Sequence, residues 1–396
     1  MGSAVLDALG ACARLAEDSD AIAGAAPRYV AAPGSAEEAA AVLRVAAAHD
    51  LAVVALGAGT KQDWGLPPRR LDLVIDTTRL IGVVEHAAGD LVAVVRAGTP
   101  LSSLNAKLAA AGQQLALDAP LAGATVGGTV AVNDSGPRRM LYGSVRDLLI
   151  GITVVRADGV VARSGGKVVK NVAGYDLGKL MTGSYGTLAL IAECAFRLHP
   201  IPAARAYVTR RMAPASAGPA LTAMRKSQVA PSAVEIDAPP DGDCEVLVHL
   251  EGTATGVDAR AATTAKLLDG EVSPSPPPWW GERPWRSGDV GIKLGVPLSR
   301  VPAVLRAADG AAVRGSAGAG VLYAGLPGDS DPESVVRLVA ALRTAAEHAV
   351  VLTAPPAIRD RLDMWGPVRG LGLMRRVKEQ FDPHARLAPG RFAGGI

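Results

Sequence analysis

The sequence predicts an α+β chain of two domains, and three observations carry that prediction. Its 396 residues exceed what one hydrophobic core ordinarily serves. Through the first half, short runs rich in Val, Ile and Leu alternate with Ala-rich helical stretches. Past about residue 205 the texture changes to strand-like runs around a Pro- and Trp-rich stretch. Domains are therefore expected at 1–204 and 205–370, with a closing stretch, 371–396, that packs back on the first.

The opening residues, MGSAVLDALGACARLAED, have no basic region ahead of their apolar ones and gain Glu17 and Asp18 early, which reads as a short helix and not a signal peptide. Ser35-Ala36-Glu37-Glu38 is a capping box: Ser35 caps N–H groups, Glu38 reaches back to Ser35, and the Ala-rich helix it opens runs to about His49. LAVVAL at 51–56, LDLVID at 71–76 and LVAVVR at 91–96 are apolar and β-branched enough for strands. Thr99-Pro100 ahead of Leu101, Leu104, Leu108 and Gly112 predicts a capped helix with Pro in its first turn and a Gly stop. Strands return at 152–156 and 187–198, and the region closes near His199-Pro200-Ile201-Pro202.

Beyond it, CEVLVHLEG around Cys244 and VGIKLGVP around Val290 are strand-like, and 333–348 is helical. SPSPPPWWGERPWRSG at 273–288 reads as a long surface loop, whose Trp279, Trp280 and Trp285 either face a partner or pin the loop. The C-terminal helix is LMRRVKEQF, before a Pro/Gly-rich tail. No internal repeat is visible.

The totals exclude several functions. The net charge of +3 comes from 41 basic and 38 acidic residues spread along the chain, without the concentrated basic surface that nucleic acid requires. Cys12, Cys194 and Cys244 are too few and too far apart for a disulfide framework, a Cys-x-x-Cys metal site or an iron–sulfur cluster. No run of about 18 apolar residues suggests a transmembrane segment. A reduced, cytoplasmic compartment fits.

Small-residue segments carry the chemistry. GAGTK at 57–61 follows a strand; bare N–H groups there make an anion nest, to which the Thr60 hydroxyl and Lys61 add. A Rossmann fingerprint would need a third Gly at 62 and a helix opening there, but position 62 is Gln and Asp63-Trp64-Gly65-Leu66-Pro67-Pro68 cannot start a helix. An ordinary Gly turn remains the alternative for this loop taken alone. It is joined, however, by Ala124-Thr125-Val126-Gly127-Gly128, Asn133-Asp134-Ser135-Gly136, Tyr142-Gly143-Ser144-Val145-Arg146-Asp147, GGKVVKNVAGYDL at 165–177 and GSYGTL at 183–188. Such glycine-rich polar bends suit a backbone lying against a flat ring and a phosphate chain better than a filled core.

The ordered set GAGTK, ATVGGTVAVNDSG, YGSVRD and KNVAGYDLGKLMTGSYGTLALI resembles the FAD-binding domain of the vanillyl-alcohol-oxidase, or PCMH-type, flavoprotein superfamily. KNVAGYDL is closer to its glycolate oxidase and D-lactate dehydrogenase branch, and within that branch the chain is similar to the glycolate oxidase E subunit family, down to the ending FDPHARLAPGRF. The resemblance covers 28–200 strongly, 205–370 loosely and the final stretch moderately. It implies an FAD-binding domain of two α+β subdomains followed by a cap-like α+β domain. It implies that Leu56, Gly57, Ala58, Gly59, Thr60 and Lys61, with Ala124, Thr125, Val126, Gly127 and Gly128, bind the FAD pyrophosphate. Asn133, Ser135, Gly136, Tyr142 and Gly143 would line the flavin, and the Ile191 backbone would meet the adenine or ribose end. With no His in the first loop the FAD is expected to be non-covalent.

The closely spaced His pair of the family's larger subunit is missing, since His49, His86, His199, His249, His348 and His384 are scattered. No metal site is expected. Oxidising a 2-hydroxy acid needs a cation for the carboxylate and a base for the hydroxyl proton. Arg138, Arg139, Lys170 and Arg391 are the candidate cations, and Arg391 has the alternative task of binding carbonyls or FAD phosphate. His199 and His384 are the nearest bases, each better read as a surface or strand-end group, so no catalytic base is assigned. Three readings stay open: an FAD subunit working with a second FAD subunit and an iron–sulfur subunit on a small 2-hydroxy acid, a stand-alone FAD-dependent D-2-hydroxyacid dehydrogenase, or an assembly subunit that keeps the flavin fold. The first implies a cytoplasmic location, with any membrane association through partners.

Overall fold

The computed structural model describes residues 2–118, 121–166 and 174–396. The chain forms two compact units, one of Met1–Ser135, Ser144–Ile201 and Val368–Ile396, the other of Gly136–Gly143 and Pro202–Pro367. Both mix helix and strand, so the α+β class holds.

Among the described residues the first unit contains two larger sheets and the small pair of Gln113–Gln114 with His199–Pro200. Strands Ala13–Leu15, Tyr29–Ala31, Leu73–Asp76 and Val53–Leu56 form one, in that order, with the last three parallel. Helix Ala36–Ala48 buries Ala39, Val42, Leu43 and Ala46 in the core that holds Leu73 and Ile75. Ser35 caps it, accepting the Glu38 N–H at 3.1 Å. The expected box is completed differently: the Glu38 carboxylate takes the N–H of Gly34, at 2.8 Å, not that of Ser35. Either way a carboxylate sits over the helix N-terminus.

Val83–Ala87, Val92–Arg96, Leu190–Arg197, Leu149–Val155 and Val161–Gly165 form the second sheet, all antiparallel. Helix Leu101–Ala109 starts at Pro100 without a side-chain cap, because the Ala124 carbonyl already accepts the Leu101 N–H. The Thr99 hydroxyl, expected as its cap, accepts the Gly82 N–H at 2.9 Å instead. The short C-terminal helix Leu371–Phe381 belongs to this unit.

The second unit is built on one eight-stranded antiparallel sheet, ordered Glu271–Ser273, Ala204–Met212, Cys244–Gly252, Ala233–Ala238, Ala312–Ser316, Val321–Leu326, Val290–Gly295, His348–Thr353. In chain order it reads strand–helix–strand–strand–helix–strand twice, with helices Pro214–Lys226 and Ala254–Leu268, then Val301–Ala307 and Pro332–Ala345. The two halves meet through Ala233–Ala238 and Ala312–Ser316. The sequence shows no repeat, yet the topology has one: only the alternation of elements recurs, not the residues. One sheet face is apolar, with Val208, Val248 and Val234 packed on Met224, Val257 and Ala261 of the helices. The alternate residues are polar or aromatic: Arg205 stands opposite Glu251, Tyr207 opposite His249, and Arg314 and Lys293 opposite Tyr323.

Residues 274–289 contain no helix or strand, as expected for the loop. Its Trp residues pin it within the unit. The Trp279 indole donates to Glu245, Trp280 meets Tyr207 and His249 edge-on, and Trp285 tilts against Tyr323. Gly291 leaves room for that ring, since a Cβ there would lie 2.4 Å from Trp285. Gly291→Ala should therefore expel Trp285, cost about 1–3 kcal/mol of stability and red-shift the tryptophan emission; an unshifted spectrum would refute the packing.

Candidate functional site

The glycines of the first loop and the Thr of the second meet in space. The strand Val53–Leu56 ends and the chain turns at Gly57, where an added Cβ would lie 2.4 Å from Thr125 Oγ1. Gly57 is thus a contact point between two segments far apart in sequence, and only a hydrogen fits there. Thr125 also caps helix Val126–Val132, accepting the Gly128 N–H at 3.3 Å. Residues 124–130 are therefore not the small-residue loop that the sequence suggested. Gly127 and Gly128 form a first helical turn because bulk is forbidden: a Cβ on Gly127 would meet Ala97 Cβ at 2.7 Å.

Both segments border one open cleft in the first unit. Leu56, Gly57, Ala58, Gly59, Thr60 and Lys61 line it from one side, Thr125, Gly127 and Gly128 from another, and Tyr185, Gly186, Ile191 and Arg391 also border it. The hydrogen-bonding state of the two segments differs. Val126 N–H is used by Thr99 O at 2.9 Å and Gly127 N–H by Ala97 O at 2.7 Å. Among the described residues, no acceptor meets the N–H groups of Gly57, Ala58, Gly59 and Thr60. The first loop alone offers a row of open donors, and Gly59, at φ +74°, gives it the left-handed turn of an anion nest.

Charge near the loop is compensated. Lys61 Nζ lies 3.7 Å from the Asp134 carboxylate, with both side chains buried. Arg391 is 5% exposed and donates to Gln62 Oε1 at 2.8 Å, Gln62 O at 2.6 Å and Trp64 O at 2.9 Å. Burial pushes its pKa down to about 10, against the opposing pull of Tyr185 and Asp63. This guanidinium holds loop carbonyls.

The other expected residues fall in different places. Ala124 and Val126 are core residues. Asn133 closes the helix at φ +52°, with its Oδ1 buried and without a partner among the described residues. Ser135 Oγ accepts the Val145 N–H at 2.9 Å, a structural bond. Gly136, Arg138, Arg139, Tyr142 and Gly143 belong to the second unit. There Arg138 pairs with Glu251 at 3.2 Å and Arg205 with the same oxygen at 3.3 Å. Burial first, and the Glu251 carboxylate next, push the Tyr142 pKa up to about 12. Arg139 donates to Gly136 O and to the Tyr323 hydroxyl. Lys170 lies outside the described residues. His199 pairs backbone to backbone with Gln114, His384 is exposed, and neither lines the cleft. Gln62, Asp134 and Tyr185 were not singled out from the sequence. Tyr185, at φ +57° between two positive-φ glycines, is the one that the motif GSYGTL signals.

Residues 27–165 match the family model of an FAD binding domain. Glycolate oxidase subunit GlcE of Escherichia coli (strain K12) is 40% identical over 162 residues, 40% of this chain and 46% of that protein. The chain thus spans under half the length of this relative. An uncharacterized FAD-linked oxidoreductase of Mycobacterium tuberculosis (strain ATCC 25618 / H37Rv) is 29% identical, across 93% of this chain and 91% of its own. The crystal structure of p-cresol methylhydroxylase with substrate bound superposes with a TM-score of 0.72 at 16% identity, covering 98% of this chain and 96% of that one, and shares the fold. Residues 27–165 are thus an FAD binding domain, and the chain as a whole has the p-cresol methylhydroxylase fold. The open N–H row and the Gly57–Thr125 contact fit a dinucleotide diphosphate.

Proposed function

We propose that this chain is the FAD-binding subunit of a glycolate oxidase-like complex, taking part in the oxidation of a small 2-hydroxy acid beside a second FAD subunit and passing electrons to an iron–sulfur subunit. The observation that carries the reading is the row of open N–H groups from Gly57 to Thr60 on the cleft. Each charge-assisted bond from such a donor contributes about 1.5–3 kcal/mol. The FAD is held without a covalent bond in this reading, the first glycine loop carrying Lys61 and Gln62 and no His. When bound, the flavin supplies a hydride acceptor.

This chain's residues bind and orient. Gly57, Ala58, Gly59 and Thr60 hold the diphosphate, Thr125 fixes the facing helix, and the Lys61–Asp134 pair adds little net charge. Arg138 already shares Glu251 with Arg205, so a substrate carboxylate would have to compete with that carboxylate. That favours dehydrogenation on a partner. The match to GlcE supports the glycolate oxidase assignment. The second reading, a stand-alone FAD-dependent 2-hydroxyacid dehydrogenase, draws on the near full-length match to a protein named as an FAD-linked oxidoreductase.

The visible spectrum of the purified chain separates the readings. Bound flavin that stays yellow on anaerobic addition of glycolate or D-lactate supports the subunit reading. Flavin that bleaches supports the stand-alone enzyme, and a colourless chain that FAD cannot reconstitute sinks both.

A further inference from the structure

The last residues of the chain make a set of backbone and side-chain bonds that the flavin reading does not require. Leu387 bridges Val53 in parallel register, with the Val53 N–H donating to Arg386 O and the Ala388 N–H to Val53 O, each at 2.7 Å. The tail thereby lies along the outer edge of the strand that runs into the Gly57 loop. It continues beside the far end of that loop: the Arg69 N–H donates to Pro389 O at 2.8 Å and the Leu66 N–H to Arg391 O at 3.2 Å. Between those anchors, Arg391 makes its three bonds to Gln62 and Trp64. Phe392, the next residue, stands 5.3 Å from the Tyr185 ring on the cleft wall.

A loop whose donors must converge on a diphosphate needs its ends fixed, because free N–H groups held in one conformation carry an entropic cost. Among the described residues the N–H groups of residues 57–60 make no such bonds themselves. The strand fixes the start of the loop and the tail fixes its end.

We infer that the C-terminal segment is a positioning arm of the FAD site, and that Arg391 acts through the Gln62 and Trp64 carbonyls to hold the diphosphate loop in its binding shape. The inference rests on the FAD reading of the cleft. Arg391 borders the cleft, but its three bonds go to Gln62 and Trp64, and its role is to position the loop. The loop conformation that binds FAD is the one the docked tail supports, so cofactor binding and tail docking stabilise each other.

Arg391→Lys in the full chain tests this. It keeps the positive charge but cannot reach three acceptors at once. The expected result is FAD affinity weakened at least about tenfold, the equivalent of one charge-assisted hydrogen bond. In addition, FAD should slow carboxypeptidase trimming of the wild-type tail and slow it much less in the variant. Wild-type affinity in Arg391→Lys, or trimming indifferent to FAD in the wild type, overturns the inference. Should that variant fail to fold, Gln62→Leu removes a single grip: several-fold weaker binding upholds the arm, and unchanged binding overturns it. Gly59→Val reports on the cleft itself. If it retains FAD normally, the flavin-site reading fails; if it loses FAD while Arg391→Lys does not, only the arm fails.

Discussion

Replacing Gly57 by Val is expected to raise the dissociation constant for FAD by about 10²–10⁴-fold, read by flavin fluorescence titration, with little change in far-ultraviolet circular dichroism. The magnitude corresponds to about 3–6 kcal/mol, two charge-assisted hydrogen bonds out of the open row. The cause is local. A Cβ at this position would lie 2.4 Å from Thr125 Oγ1, so the loop must move away from the helix, and its open N–H groups are carried out of line with the diphosphate. A double-variant cycle isolates that contact: Gly57→Ala alone should weaken binding, and adding Thr125→Ala should recover part of the loss, less about 1 kcal/mol for the missing helix cap. If Gly57→Val holds FAD as tightly as the wild type, the diphosphate is not bound here.

Asp382→Asn is expected to destabilise the first unit by about 3–5 kcal/mol, the usual result of leaving one charge of a buried pair alone. For a unit of this size that is roughly 6–20 °C in Tm. Lys378 is 6% exposed, and its ammonium donates to Asp382 at 2.6 Å, Thr187 O at 2.7 Å and Leu387 O at 2.9 Å. Asp382, 1% exposed, also accepts the N–H groups of Arg386 and Leu387. The pair therefore ties helix Leu371–Phe381, the strand-entry residue Thr187 and the tail into one node. Burial pushes the Lys378 pKa below its ordinary 10.5, and Asp382 opposes that fall. Without the carboxylate the fall deepens. The folded variant then sheds its proton before the unfolded chain does, the unfolded chain binds more protons, and stability rises with pH. The Tm deficit of Asp382→Asn should shrink between neutral pH and about 10; a deficit that grows would reverse this account.

Much of the first unit was legible because its signals are local. Ser35 before an Ala-rich run, the β-branched strands at 53–56 and 73–76, and the glycines at 57 and 59 each declare a conformation within a few residues. What stayed hidden depends on long-range contacts. That Gly127 and Gly128 open a helix follows from Ala97 pressing on them, and Ala97 is about 30 residues away in sequence. That Arg391 grips Gln62 links positions 329 apart, which no local pattern encodes. Arg138 looked like a free cation because its partner, Glu251, sits 113 residues on. In the second unit a duplicated topology survives without a duplicated pattern, since a sheet face accepts many apolar residues in the same role.

The eight-stranded sheet has a seam. Ala204–Met212 and Cys244–Gly252 share nine paired residues, whereas Ala233–Ala238 and Ala312–Ser316 share only three, Ile236 with Gly315, Asp237 with Arg314 and Ala238 with Val313. Each half has its own pair of helices, and helix Pro214–Lys226 meets helix Val301–Ala307 across this line, with Gly218 against Pro302, so hinging would slide that one contact. Amides at the seam should exchange with solvent faster than those of the strands on either side, and the polar face would then widen or narrow as two plates on a common hinge.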